Sequence, residues 1–289
     1  MTSPKEQRPE GIPVRRPKTD LAHADVDRWI VPDDPFFSHY LAALSAVFPN
    51  GEDFFVESVR NYRDIVAEDR DLKARVKGFI GQESMHGREH RAFNQRLAEL
   101  GYPTVQLDRN LLRAARLLQK LPAPVQLAVT AASEHFTSVL AEILLSDEET
   151  RRTLLPSADG ELLVTWHALE ELEHKDVAYD VFARVSGGYG IRLLGVGFAA
   201  AGFGTVVISG YLGALLADRR YLTRAARQRN RHNFARQQMV SRRAGRALLQ
   251  YLRPGFHPRD IYTDGLVAEW RDRLSDDMTA AGGAGRQSA

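Results

Sequence analysis

The sequence predicts an all-α fold, and three observations lead there. Apolar residues recur at spacings of three and four along several long stretches. Sustained period-two alternation and Asn-Gly hairpin signals are nearly absent. A Glu-x-x-His pair also occurs twice, at Glu83/His86 and Glu171/His174, each inside a stretch that reads as helical. On a helix, residues three apart project from one face, a turn apart.

Taken in order, residues 1–20 are polar, Pro-rich and charged and read as a disordered arm. Residues 35–48 read as a short helix that starts near Asp33 or Asp34 and stops at Pro49. A helix over 50–67 follows, with Phe55, Val59, Tyr62 and Val66 on a stripe that Glu52 extends backwards. The stretch 71–100 is the next, ending at Gly101 with Pro103 beyond; Phe79, Glu83, His86, His90 and Phe93 share its inward face, and Gly81 and Gly87 weaken it. Residues 111–121 form a further helical stretch broken at Pro122 and Pro124. A helix over 125–145 carries Leu127, Glu134 and Ala141 on one side. After a connection over 147–160, a helix over 161–185 puts His167, Glu171, His174 and Val181 on one face and stops at Ser186, Gly187 and Gly188.

Residues 193–217 contain no charge. As one helix they would be about 37 Å long, enough to span a bilayer. A span would place the preceding bundle on the opposite side without a signal peptide, and Gly202 and Gly204 suggest a break. A helix or re-entrant hairpin on the inner face of the cytoplasmic membrane is therefore expected, with a helix packed on the bundle or in a homo-dimer interface as the alternative. From Arg219 to Arg259 there are twelve Arg and no acidic residue, hidden by a net charge of +2. No recognition motif accompanies them, so an anionic membrane surface is the expected partner rather than nucleic acid. The expected organisation is an arm over 1–20, a helical bundle over 21–187, an apolar segment over 188–218, a basic helical extension over 219–275 and a flexible tail over 276–289. With no Cys, disulfides, zinc ribbons, iron–sulfur clusters and thiol catalysis are excluded, which suits the cytoplasm.

Two Glu-x-x-His pairs plus one Glu from each of two further helices make the ligand set of a two-metal carboxylate site in a ferritin-like four-helix bundle. Glu52 precedes Glu83 by 31 residues and Glu134 precedes Glu171 by 37, intervals that suit a helix, a turn and a return helix. The expected metal ligands are Glu52, Glu83, His86, Glu134, Glu171 and His174. The expected cofactor is a pair of metal ions, iron first, with manganese or zinc as alternatives. Glu57, between polar helical neighbours, reads as a surface acid. His90 and His167 sit one turn from the motifs and read as supports or proton carriers, with direct ligation less favoured. His135 reads as a packing residue, and Glu170 and Glu173 as outward charges.

The run Gly51, Glu52 with Ser58, Val59 and Arg60 resembles part of the bacterial family known as predicted metal-dependent hydrolases. So do Gln82, Glu83, His86, His90, Phe93 and Asn94, then Glu134 and His135, and the stretch from Trp166 to Lys175. Pro254, Gly255, Phe256, His257 and Pro258 resemble its C-terminal signature, and the similarity covers roughly Arg16 to Pro258. The resemblance implies a ferritin-like helical metal protein. The ligand set itself favours a dioxygen-activating oxidase or oxygenase on an apolar, lipid-like substrate, served by an electron donor. The alternatives are a hydrolase using metal-activated water and a non-catalytic metal-binding bundle.

Overall fold

The computed structural model describes residues 11–280 apart from 19, 25 and 156. Its helices are α1 (Pro35–Arg60), α2 (Arg63–Ala67), α3 (Arg70–Glu99), α4 (Thr104–Leu118), α5 (Ala123–Ser146), α6 (Glu148–Leu154), α7 (Ala158–His174), α8 (Val177–Val185), α9 (Tyr189–Ala217), α10 (Arg224–Gln250) and α11 (Asp264–Arg273). The fold is an all-α bundle. Its starts are written in the sequence: Asp34, Asp69, Asp147, Ser157 and Thr223 each accept a backbone N–H of the first turn, and Pro35 follows Asp34 at a position where no N–H is needed. Four helical units surround the site: α1, α3, α5, and α7 with its continuation α8. Helix α1 packs on α3, and α5 packs on α7 and α8.

Pro49 does not end a helix; α1 runs straight through it. Proline removes one N–H and frees the carbonyl one turn earlier, here Ser45 O, which accepts Asn94 Nδ2 from α3 at 3.0 Å. A tertiary bond replaces the lost helical one. The expected helix over 161–185 is instead two, broken directly after His174. There the Lys175 ammonium turns inward to Ile261 O and to Thr263 Oγ1 (2.8 Å).

Of the helix or hairpin expected in the apolar segment, the structure has a single helix, α9, with a mean hydropathy of 1.9. Gly202 and Gly204 stay helical because neither is pressed by a neighbour; only Leu118 Cδ1, at 3.8 Å, would approach a Cβ at 202. By length and composition α9 could cross a membrane. It lies along α5, α1 and α4. Its outer side is an uncharged stripe through Leu194, Ile208, Leu212 and Leu216, each more than half exposed.

The stretch expected as a loose arm is in part a strap. Residues Arg15–Pro17 form β1, which pairs antiparallel with β2, Met278–Ala280, inside the expected flexible tail. Residues 1–10 and 281–289 of those two segments lie outside the described residues. Gly78 and Gly81 are the seats of this strap: a Cβ on Gly78 would come within 2.6 Å of Ile12 O, and one on Gly81 within 2.4 Å of Val14 Cγ2.

Gly195 sets how closely α9 approaches α5, since a Cβ there would fall 2.4 Å from Ala128 O. Gly195→Ala should prise the helices apart, cost about 1–3 kcal/mol and lower the thermal midpoint by several degrees. Gly197→Ala, where nothing lies within 4 Å, should instead gain up to about 1 kcal/mol of helix propensity. Equal midpoints for the two variants would contradict this packing.

Candidate metal centre

The four helical units converge on a cluster of buried acids and imidazoles. Glu52 comes from α1, Glu83 and His86 from α3, Glu134 from α5, and His167, Glu171 and His174 from α7; none is more than 5% exposed. Two triplets offer ligand atoms within 4.8 Å of one another: Glu52, His86 and His167, and Glu83, Glu171 and His174. Glu83 and Glu171 join them. Glu171 Oε1 lies 2.8 Å from His167 Nε2, and its Oε2 lies 3.6 Å from His174 Nε2. Glu83 Oε1 lies 3.0 Å from His174 Nε2 and 3.9 Å from His86 Nδ1. Glu134 Oε2 reaches His174 Nε2 at 3.1 Å.

Both carboxylate oxygens of Glu52, Glu83 and Glu134, with His86 Nδ1 and His174 Nε2, are buried with no hydrogen-bond partner. Buried polar atoms are normally paired. Eight orphans gathered at one point, all of them oxygen or imidazole nitrogen, fit one or two divalent cations.

Electrostatics agree with that fit. Burial, reinforced by the neighbouring carboxylates, pushes Glu52 and Glu83 well above the usual carboxylate range. Burial lifts Glu134 to about 7, against the pull of His174. Burial would also raise Glu171, but the facing His167 and His174 outweigh it and hold the group well below its ordinary value. Burial would lower His174, and Glu134, Glu171 and Glu83 carry it well above. Protons in this cluster stand where a cation would. Burial, with His167 nearby, keeps His86 and His90 well below the usual imidazole range, hence neutral.

The surroundings assign the tautomers. Gln82 Nε2 donates to Glu173 Oε2 (2.8 Å) and to Pro13 O (2.9 Å), so its Oε1 accepts from His174 Nδ1–H at 2.8 Å. His174 Nε2 is thereby aimed at the acids. Glu173 is in turn gripped by Arg15 and Arg271. These hold it below the ordinary carboxylate value although burial pushes the other way. His86 Nε2 meets Glu170 Oε2 at 3.1 Å, leaving Nδ1 for the cluster. Glu170, pushed up to about 8 by burial and by Glu173, is steadied by Arg15.

A second chain begins at Pro49. Asn94, fixed by Ser45 O, presents Oδ1 to the Ser45 hydroxyl (2.8 Å). Ser45 Oγ then accepts from His90 Nδ1–H (2.9 Å), and His90 Nε2 accepts from His167 Nδ1–H (2.8 Å). His167 Nε2 is left facing Glu171 Oε1 at 2.8 Å and Glu52 Oε1 at 3.7 Å.

The six residues expected as ligands therefore lie together. His167 joins them instead of standing behind them, while His90 stands one bond back. Glu57 is exposed and pairs with Arg60. His135 is buried away from the cluster, stacked on Tyr251 with Nε2 3.1 Å from Ala247 O. Glu170 and Glu173 are not outward charges: their side chains are 0% and 1% exposed. Their one sequence signal was position, each adjacent to a motif residue.

Two outcomes are expected. Zinc or manganese binding should release protons and weaken as pH falls below about 7, because Glu134 and His174 must give theirs up; calorimetry in buffers of different ionisation heat reads this. Proton uptake on binding would contradict the site. Gln82→Ala should lower metal affinity about 10- to 100-fold by untying His174, with helical content unchanged by circular dichroism.

A family model described as predicted metal-dependent hydrolase matches residues 13–261. No curated protein and no solved structure matches the chain. The family description overturns the expected oxidase or oxygenase reading and its redox class, which rested on the ligand set alone, and supports the hydrolytic alternative. The match spans the strap, all four site-bearing helical units and the turn that follows α10, and on that extent the chain belongs to the family of predicted metal-dependent hydrolases.

Proposed function

We propose that the protein is a metal-dependent hydrolase whose ligands are Glu52, Glu83, His86, Glu134, His167, Glu171 and His174. The observation that carries the reading is the convergence of orphaned oxygen and nitrogen atoms beside an apolar cavity. Bound there, a divalent pair would polarise a carbonyl and supply hydroxide near neutral pH. The two sides of the cluster are unequal: Glu52, His167 and Glu171 line the cavity, whereas Glu83, His86, Glu134 and His174 do not. The three lining residues meet the substrate, and the other four brace them. Glu52 has no hydrogen-bond partner on either oxygen and a raised pKa. One of its oxygens could hold a cation while the other faces the cavity. Thr137 Oγ1 donates to Glu171 Oε2 and fixes that carboxylate. The apolar walls exclude bulk water.

Hydrolysis of an apolar ester should vanish on chelation and return with zinc, manganese or ferrous iron. Glu52→Ala and His167→Ala should each lower kcat by about 10²-fold or more, while Glu57→Ala leaves it unchanged. Full activity after exhaustive chelation would defeat the proposal.

A further inference from the structure

The cavity, about 370 Å³, lies between α1, α4, α5, α7 and α9. Glu52, His90, His167 and Glu171 form its inner end. Its body is lined by Phe37, Leu44, Phe48, Leu118, Phe136 and Phe203. Tyr40, Leu140 and Phe198 also line it and are 38%, 42% and 38% exposed, so the cavity reaches the surface.

The walls discriminate among substrates. No Lys or Arg is among the described residues lining the cavity. Beyond the metal end, a sugar or a peptide backbone would bring polar groups with little on the walls to pair them, a heavy cost in an apolar site. The hydroxyls nearest the inner end are already engaged, Ser45 with Asn94 and His90, and Thr137 with Glu171. An alkyl chain leaves no group unpaired. A methylene fills roughly the volume of a water molecule, about 30 Å³, so the space holds on the order of a dozen carbons.

Resting on the hydrolytic reading, we propose that the substrate is a fatty acyl ester whose chain of about a dozen carbons fills this cavity and whose carbonyl stops at Glu52, His167 and Glu171. Cleavage adds one water: hydroxide oxygen bonds to the acyl carbon, the acyl C–O bond breaks, and the water proton leaves on the alcohol. Electrons balance without any oxidant. The acids and imidazoles hold the carbonyl, and the chain lies along the apolar walls. Chain length is therefore measured from the reacting carbonyl outward.

Undecyl methyl ketone and propyl methyl ketone keep the carbonyl but have no bond to hydrolyse. Their binding to the zinc-loaded protein, read by calorimetry, tests the chain site apart from the chemistry. Each buried methylene can tighten binding up to about fourfold, so the long ketone should bind at least about 100-fold more tightly. Gly202→Phe, at a wall position with only Leu118 Cδ1 near its Cβ, should remove that preference and move the best p-nitrophenyl ester from dodecanoate toward butanoate. Ala114→Phe, on the α4 wall, repeats the test should the first variant not fold. Equal binding of the two ketones would overturn the chain site even if esters are hydrolysed. Tight long-ketone binding with no ester turned over would leave the chain site standing and defeat the hydrolytic reading. Faster cleavage of a dodecanoyl ester held in phosphatidylglycerol vesicles than of the same acyl group on a soluble alcohol assigns a bilayer lipid as the source. The reverse assigns a soluble acyl ester.

Discussion

Burying four carboxylates and four imidazoles inside one helical bundle is the constraint to which the rest of the structure answers. Isolated charges in an apolar core are penalised by several kcal/mol each, and the cluster meets this by sharing. Glu171 keeps its charge because His167 and His174 face it, while Glu52, Glu83 and Glu134 are driven toward their protonated forms. The same balance is what a divalent cation would replace. Around the cluster every imidazole is held by a partner: Glu170 for His86, Gln82 for His174, and His90 for His167.

Those partners are placed by features that look like defects. A proline within α1 frees Ser45 O, and that one carbonyl orients Asn94, hence Ser45, His90 and His167 in turn. The break between α7 and α8 falls directly after His174, where a regular helix would have continued. Glycines that weaken α3 as a helix are where the N-terminal strap seats and delivers Pro13 O to Gln82 and Arg15 to Glu173. In each case a local rule is broken at a position that serves the site.

Much of this was legible in the sequence, and the rest was hidden for physical reasons. The helices bearing Glu83 and Glu134 were readable to within two residues at their ends, because Asp69, Gly101 and the Pro122–Pro124 pair mark them chemically. The paired motifs brought six acids and imidazoles to one place. Pro49 misled because its cost is removed by a side chain 45 residues away, and separation of that kind leaves no local trace. His167 was set back from the cluster because spacing along a helix does not report which way an imidazole is held. Glu170 and Glu173 were taken for surface acids because the two Arg that bury them come from opposite ends of the chain. The choice of reaction was over-read: a carboxylate and imidazole shell specifies a cation more sharply than a chemistry.

The grip on Glu173 also has a temporal side. Arg15 reaches it from the N-terminal strap and Arg271 from α11, next to the strand that pairs with that strap. At a synthesis rate of about 5–20 residues per second, roughly a quarter of a minute to a minute separates the two. During that interval the bundle helices can already collapse, yet Gln82 and His174 lack their final anchor. The support behind Gln82 and His174 is thus complete only once α11, close to the end of the chain, has been made and has docked.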